Sequence, residues 1–319
     1  MYQLNQGDQL WGYLPLVLLL SFWFLVVGLL ENRFSTSENN RRWLGLSTAT
    51  GMLLWLGFPC MPFTPLLFLA FIPLLVVAQE IARDISSKST RTLIKYGYHS
   101  FVVWNILSTY WVSNSALVAG LFAIFVNAAL MCIPLALFHK TRQHLNEKLA
   151  FLGFIAYWIS FEKLHQHWEL SWTWLTLGNS FAQYPSWVQW YEYTGVFGGS
   201  LWILVANVLG FKLYQNYTQT AVLNRKKVAS FAALILLPIL VSVVWYFQYT
   251  EKGTSAEVVV IQPNYEPHHV KFDTNERETL NQFLKLSKEQ VDEKTDFLLF
   301  PETSFRRCLL YTSPSPRDS

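Results

Sequence analysis

The chain has 319 residues, 52% of them hydrophobic and 14% charged, with 14 tryptophans and a formal net charge of +3. So apolar a composition points to lipid as the solvent over much of its length, and the small charge excludes a nucleic-acid binder, which needs a concentrated basic face. The three cysteines, Cys60, Cys132 and Cys308, have no metal-ligand spacing, so neither a zinc site nor a disulfide framework is expected.

The first ten residues hold no Lys or Arg, so the apolar run after them lacks the basic leader of a cleavable signal peptide and is read as a retained span. Eight apolar segments follow, roughly at 11–30, 43–59, 63–79, 96–112, 115–138, 150–164, 196–215 and 228–248. Most approach the ~20 residues that a helix needs to cross ~30 Å of hydrocarbon. The second and third are separated by Pro59-Cys60-Met61-Pro62, which predicts a tight hairpin because the residue before a proline avoids helical geometry.

Orientation is read from the loops, since cytoplasmic loops retain Lys and Arg. Arg33, Arg41 and Arg42 follow the first segment, and Arg83, Lys88, Arg91 and Lys95 the third. Lys140, Arg142 and Lys148 follow the fifth, and Arg225, Lys226 and Lys227 the seventh. The intervening loops are nearly free of basic residues apart from Lys163. Every other loop being basic, eight crossings place Met1 and everything after residue 249 outside. The longest outside loop carries Trp168, Trp172, Trp174, Trp187 and Trp190, with Trp202 just beyond. Two readings stand for it: an aromatic belt at headgroup level, or a loop that dips into the interface and shapes a lipid entrance.

After Gly253 the pattern changes. Glu257 to Gln262 is a β-branched run suited to a strand. Asp273 can cap a helix over 274–291, with Glu276 three residues on and Leu280, Phe283, Leu284 and Val291 along one face. Phe297 to Phe300 is a second short strand, followed by Pro301 and Glu302. Strand, helix and strand predict a βαβ unit, with Glu302 at the carboxyl end of a strand, where α/β sheets place their sites.

Glu302 is the leading candidate for chemistry, as a general base whose neighbours hold it partly out of water; the plainer reading is a surface glutamate. Glu162 and Lys163 stand together near the end of the sixth segment, either as functional intramembrane charges or as side chains that snorkel to the interface. His99, Asn105, Asn114, Asn127 and Asn207 are read as helix-packing hydrogen bonds rather than ligands. His268 and His269 have no nearby carboxylate or cysteine to complete a metal set.

A series of short motifs then falls in order: Gly57-Phe58-Pro59, Phe161-Glu162-Lys163-Leu164, Trp174-Leu175-Thr176-Leu177-Gly178-Asn179-Ser180, Tyr193-Thr194-Gly195, Val260-Ile261-Gln262-Pro263-Asn264 and Phe300-Pro301-Glu302-Thr303. Over roughly residues 43 to 305 this order resembles apolipoprotein N-acyltransferase, a bacterial inner-membrane enzyme that fuses a helical membrane domain to a nitrilase-like catalytic domain. The resemblance implies a multi-pass α-helical membrane domain over 1–250 and, over 251–305, the start of an α/β domain of the nitrilase-like α-β-β-α sandwich type on the periplasmic side.

It also implies a Glu-Lys-Cys triad in which Glu302 is the base, with no cofactor and no metal. The acyl donor would be a phospholipid drawn from membrane lipid, and the acceptor the amine of a diacylglyceryl-modified apolipoprotein. Trp174, Glu162, Gln262 and Asn264 are the substrate-binding candidates. The triad's lysine and cysteine are expected many tens of residues after Glu302, so the 319 residues are expected to be inactive; Cys308, six residues on, is in the wrong place for the nucleophile. Residues 306–319, with Ser313-Pro314-Ser315-Pro316, read as a tail foreign to the native protein. The first segment precedes the region of resemblance, and Trp174 follows Thr173 where the family has Phe-Pro. A transporter and a membrane-anchored nitrilase-like amidase are the rival readings. Against the transporter stands the lack of paired broken helices or inverted-repeat symmetry, and against the amidase the Trp-rich loop, which favours a lipid substrate.

The topology is testable directly: a reporter active only outside the cytoplasm should be active when fused after Lys252 and silent when fused after Arg225. The reverse pattern would overturn the orientation.

Overall fold

The computed structural model describes residues 12–30, 38–59, 61–83, 90–263, 276–301 and 304. Among the sequence candidates, Glu302, Asn264, Cys60, Cys308, Asp273, His268 and His269 lie outside the described residues. The chain divides into two compact units, Met1–Tyr249 and Thr250–Ser319.

The first unit is helical: α1 (Leu14–Leu29), α2 (Glu38–Leu56), α3 (Ile72–Arg83), α4 (Thr90–Thr109), the single turn α5 (Val112–Ser115), α6 (Leu117–His144), α7 (Glu147–His165), α8 (Tyr191–Thr220) and α9 (Arg225–Gln248), with 3-10 turns at Thr64–Phe68, Leu177–Gln183 and Pro185–Trp187. Each of the eight expected apolar segments falls on helix. Among the described residues, four stretches are long and apolar enough to cross a membrane, Thr64–Arg83, Leu117–His144, Tyr191–Thr220 and Arg225–Gln248, while α1 is apolar but shorter. The remaining three, α2, α4 and α7, begin in polar turns that carry Arg41 and Arg42, Arg91 and Lys95, and Glu147 and Lys148. α9 leaves Leu236, Leu237, Leu240 and Val241 exposed and buries Ser242. A helix apolar all round and uncovered by protein is what lipid requires.

Helices pack through buried polar pairs and aromatic contacts, as they must where lipid tails remove any hydrophobic preference for protein over solvent. Trp23 on α1 donates its indole N–H to His99 Nδ1 on α4 at 3.0 Å. An indole can only donate, so Nδ1 is the unprotonated nitrogen and Nε2 carries the hydrogen. Nε2 then donates to Thr48 of α2 at 2.8 Å, and Thr48 donates onward to the Leu44 carbonyl at 2.9 Å. Asn127 on α6 donates to Asn105 on α4 at 2.8 Å. Phe71, Phe154, Phe138 and Trp158 form the buried aromatic centre, with the Phe71 and Trp158 rings edge to face at 4.8 Å.

The third expected segment, 63–79, is not one helix. A 3-10 turn over Thr64–Phe68 gives way to α3 at Ile72, and Asn207 of α8 bridges the break: it accepts from the Phe71 N–H at 2.7 Å and donates to the Leu67 carbonyl at 2.7 Å. The cause is Pro73, which has no N–H to give to Leu69 and which fits the first turn of a helix rather than its middle. At the preceding corner α2 ends at Leu56, and Gly57 lies against Leu67 so closely that a Cβ there would collide with its side chain.

In the second unit β1 (Glu257–Val260) and β2 (Thr295–Leu299) pair in parallel, with Val258 opposite Phe297 and Val260 opposite Leu299. Between them lies α10 (Glu276–Gln290). Phe283 is buried and stands edge to face with Phe300 at 5.0 Å, while Leu280, Leu284 and Val291, expected on the same covered face, are exposed. Val258, Val260, Phe297 and Leu299 are exposed too. Parallel sheets are normally covered on both faces, so this pair presents an apolar surface of the kind that further elements cover.

Candidate functional site

The polar cluster that organises the unit forms at the end of α7 remote from the basic loops. Glu162 and Lys163 are neighbours in sequence, but successive helical residues point about 100° apart, and the two part company: Lys163 is exposed and Glu162 is 3% exposed. Glu162 therefore does not snorkel. Its Oε1 accepts from the Trp158 indole, one turn back, at 3.0 Å and from the backbone N–H of Leu177 at 2.9 Å. Leu177 opens the 3-10 turn, whose leading N–H groups have no partner within it. Gly178, the next residue, gives its N–H to Ser200 Oγ of α8 at 3.0 Å, and its carbonyl accepts from Tyr191 Oη at 2.9 Å. Ser200 also faces the Glu162 carboxyl group. Two side chains from two helices thus cap a turn that would otherwise bury bare amides, and they seat the loop on the bundle.

Glycines make this fit possible. A Cβ on Gly178 would run into the Val196 carbonyl, and one on Gly199 into the Tyr191 hydroxyl. Gly195 holds φ 61° and ψ −170°, closed to residues with a side chain, and breaks α8 between a first turn at Tyr191 and the long helix beyond. The motifs Phe161-Glu162 and Leu177-Gly178, separate in sequence, thus meet in one packed cluster, while Thr194 and Gly195 are exposed. Ser200 and Tyr191 were not singled out in the sequence. Their signal there is the small-residue run Gly198-Gly199-Ser200, which lets another segment come close.

Beneath the Trp-rich loop a cavity of about 610 Å³ opens along α6, lined by Val118, Phe122, Val126 and Leu130 on that helix and by His165, Leu170 and Trp172 above. From Val118 to Leu130 it follows some twelve residues, or roughly 18 Å at the helical rise, about three fifths of the ~30 Å thickness of a hydrocarbon core. Its few polar groups sit at defined points. His165 Nδ1 accepts from the Trp168 indole at 3.3 Å, so Nε2 bears the hydrogen, with the Leu170 backbone nearby. Trp172 Nε1 and Asn127 Oδ1 are buried without a hydrogen-bond partner. Trp174 is 58% exposed and lies outside this lining; it packs on Trp111 at 4.9 Å and is tilted against Trp172 at 6.4 Å. Gln262 is exposed just past β1 in the second unit, where Ile261 donates to the Leu299 carbonyl at 3.0 Å. Of the residues predicted to serve the site, Glu162 and Trp174 lie in the first unit, Gln262 in the second, and Glu302 and Asn264 outside the described residues.

Known proteins place this architecture. Residues 50–209 match the family described as apolipoprotein N-acyltransferase N-terminal domain. The chain is similar to an apolipoprotein N-acyltransferase of Chlorobaculum tepidum, 26% identical over 270 residues, which is 81% of this chain and 48% of that protein. It is also similar to one from Geobacter metallireducens, 24% identical over 275 residues, 81% of this chain and 50% of that protein. The chain spans about half the length of these relatives.

The cluster yields a sharp test. Glu162→Ala leaves the Trp158 and Leu177 N–H groups buried without an acceptor, at about 1–3 kcal/mol each, and should lower the melting temperature in detergent and expose residues 170–190 to protease. Glu162→Gln retains an acceptor oxygen and should stay close to the parent. Equal loss in both variants would mean that the negative charge, not the acceptor, is what matters.

Proposed function

The chain belongs to the apolipoprotein N-acyltransferase family, and from that premise we propose that the complete protein moves an acyl chain from a phospholipid to the amine of a diacylglyceryl-modified apolipoprotein, at the outer face of a bacterial inner membrane. The cavity beneath the Trp-rich loop carries this reading. It is long, apolar and lined by a helix fit to cross a membrane, so it suits one acyl chain of a donor lipid. Glu162, whose Oε1 accepts from the Leu177 N–H of the loop, acts in substrate binding by holding that loop over the cavity. Trp174 stands at the exposed edge, where an indole favours the headgroup level.

The chemistry falls to the second unit, whose β1-α10-β2 order fits the opening of a nitrilase-like sandwich. Glu302, after the second strand, is the base. It takes the proton of a cysteine thiol; the thiolate attacks the ester carbonyl of the phospholipid, and a lysine stabilises the oxyanion that forms. Collapse expels the lysophospholipid and leaves a thioester, which the apolipoprotein amine opens to form an amide and return the thiol. The lysine and cysteine of this step are proposed to follow Glu302 by many tens of residues, and Gln262 and Asn264, after β1, are the substrate contacts proposed for this unit.

Replacing Glu302 with Gln in the full-length protein keeps size and hydrogen bonding and removes the proton acceptor. Thioester formation with labelled phospholipid should fall by ~10² to 10⁴-fold, the range of a positioned acid or base, with insertion and folding intact. A rate within about threefold of the parent, the span of a neutral surface change, would remove Glu302 from the mechanism.

A further inference from the structure

A second cavity, of about 450 Å³, lies at the opposite end of the first unit and is lined by Ala82, Arg83, His139, Arg142 and Gln143. Two guanidinium groups, an imidazole and an amide face it, with no carboxylate among the described residues of the lining. Arg83 ends α3 and Arg142 stands in the last turn of α6, so each gains something from its helix's negative end. That gain does not account for both. Arg142 Nη1 is buried and makes no hydrogen bond among the described residues, and the like charge of Arg83 acts on the same guanidinium. Glu147, the carboxylate that also acts on Arg142, begins α7 and is exposed. Glu80, on α3, is engaged by Arg42 at 2.8 Å and by the Trp43 indole at 2.8 Å. Among the described residues, neither Arg83 nor Arg142 has a salt bridge.

Burying a guanidinium N–H against a second cation is unfavourable unless an anion completes the set. A planar fork of donors matches the two free oxygens of a phosphodiester. We propose that this cavity holds the phosphate of an anionic phospholipid from the leaflet at the basic end of the bundle, with Arg142 and Arg83 as its ligands. The location selects a lipid over a soluble anion. The cavity sits at the tips of two helices that cross the membrane, in a position where basic pockets between spans meet headgroups. The site is separate from the acyl cavity, and its occupation does not depend on acyl transfer.

The test is retention of lipid by the purified chain, read by native mass spectrometry after exchange into detergent with phosphatidylglycerol or phosphatidylcholine. The parent should retain phosphatidylglycerol selectively, and excess inorganic phosphate should not displace it. Arg142→Gln with Arg83→Gln should weaken retention by about tenfold or more, the worth of lost charge-assisted hydrogen bonds. Arg225→Gln, on another basic loop, should leave it unchanged. Elution at the parent position on size exclusion separates lost binding from lost fold, and Arg142→Lys, which keeps charge without the fork, should fall between. Equal retention of the two lipids, displacement by inorganic phosphate, or undiminished phosphatidylglycerol in the double variant would each overturn the assignment.

Discussion

Inside a membrane domain a backbone N–H or C=O cannot turn to water, and each one left without a partner costs several kcal/mol. An unbroken helix meets this demand by itself. This chain interrupts its helices at the break between Phe68 and Ile72, at the seated loop over Leu177–Gln183 and at Gly195. At the first two, side chains from elsewhere supply what the helix gave up: Asn207 serves Leu67 and Phe71, Glu162 serves Leu177, and Ser200 serves Gly178. Asn207 and Ser200 both lie on α8, which makes that helix the spine of the unit. Its first turn, broken away at Gly195, brings Tyr191 to the Gly178 carbonyl.

The same interactions hold the surface proposed for substrate binding. A loop carrying Trp172 and Trp174 has no regular structure of its own to hold it, and without the Glu162 clamp its amides would seek water at the interface. Clamped, it lays Trp172 and Leu170 over the groove along α6 and leaves Trp174 outward. Fold and proposed substrate site therefore share residues: a substitution that loosens the clamp also unroofs the groove. The basic cavity at the other end follows a different logic, in which charge rather than backbone geometry is left incomplete.

Much of this was legible in the sequence, and what was not has a physical cause. The apolar segments lie on helices because length and hydropathy are local properties. His99, Asn105, Asn127 and Asn207, read as packing residues, do bond within or across helices. The division of the third segment was missed, because Asn207 lies 140 residues from Leu67 and no local pattern announces that a helix can afford a gap there. Pro73 was the available signal. Glu162 stood out as a charge in an apolar run, but only burial separates it from Lys163, and its partner Leu177 is 15 residues on. Both cavities escaped notice, since each is assembled from helices distant in sequence.

Named side chains, and not water, seal the first two of these interruptions. Hydrogen–deuterium exchange of the backbone amides measures this directly, since a sealed amide exchanges only when its surroundings open. The amides of Phe71, Leu177 and Gly178 should exchange as slowly as those in the middle of α6, in spite of lying outside regular α-helix. Exchange at the rate of an exposed loop amide such as that of Ser171 would contradict the account.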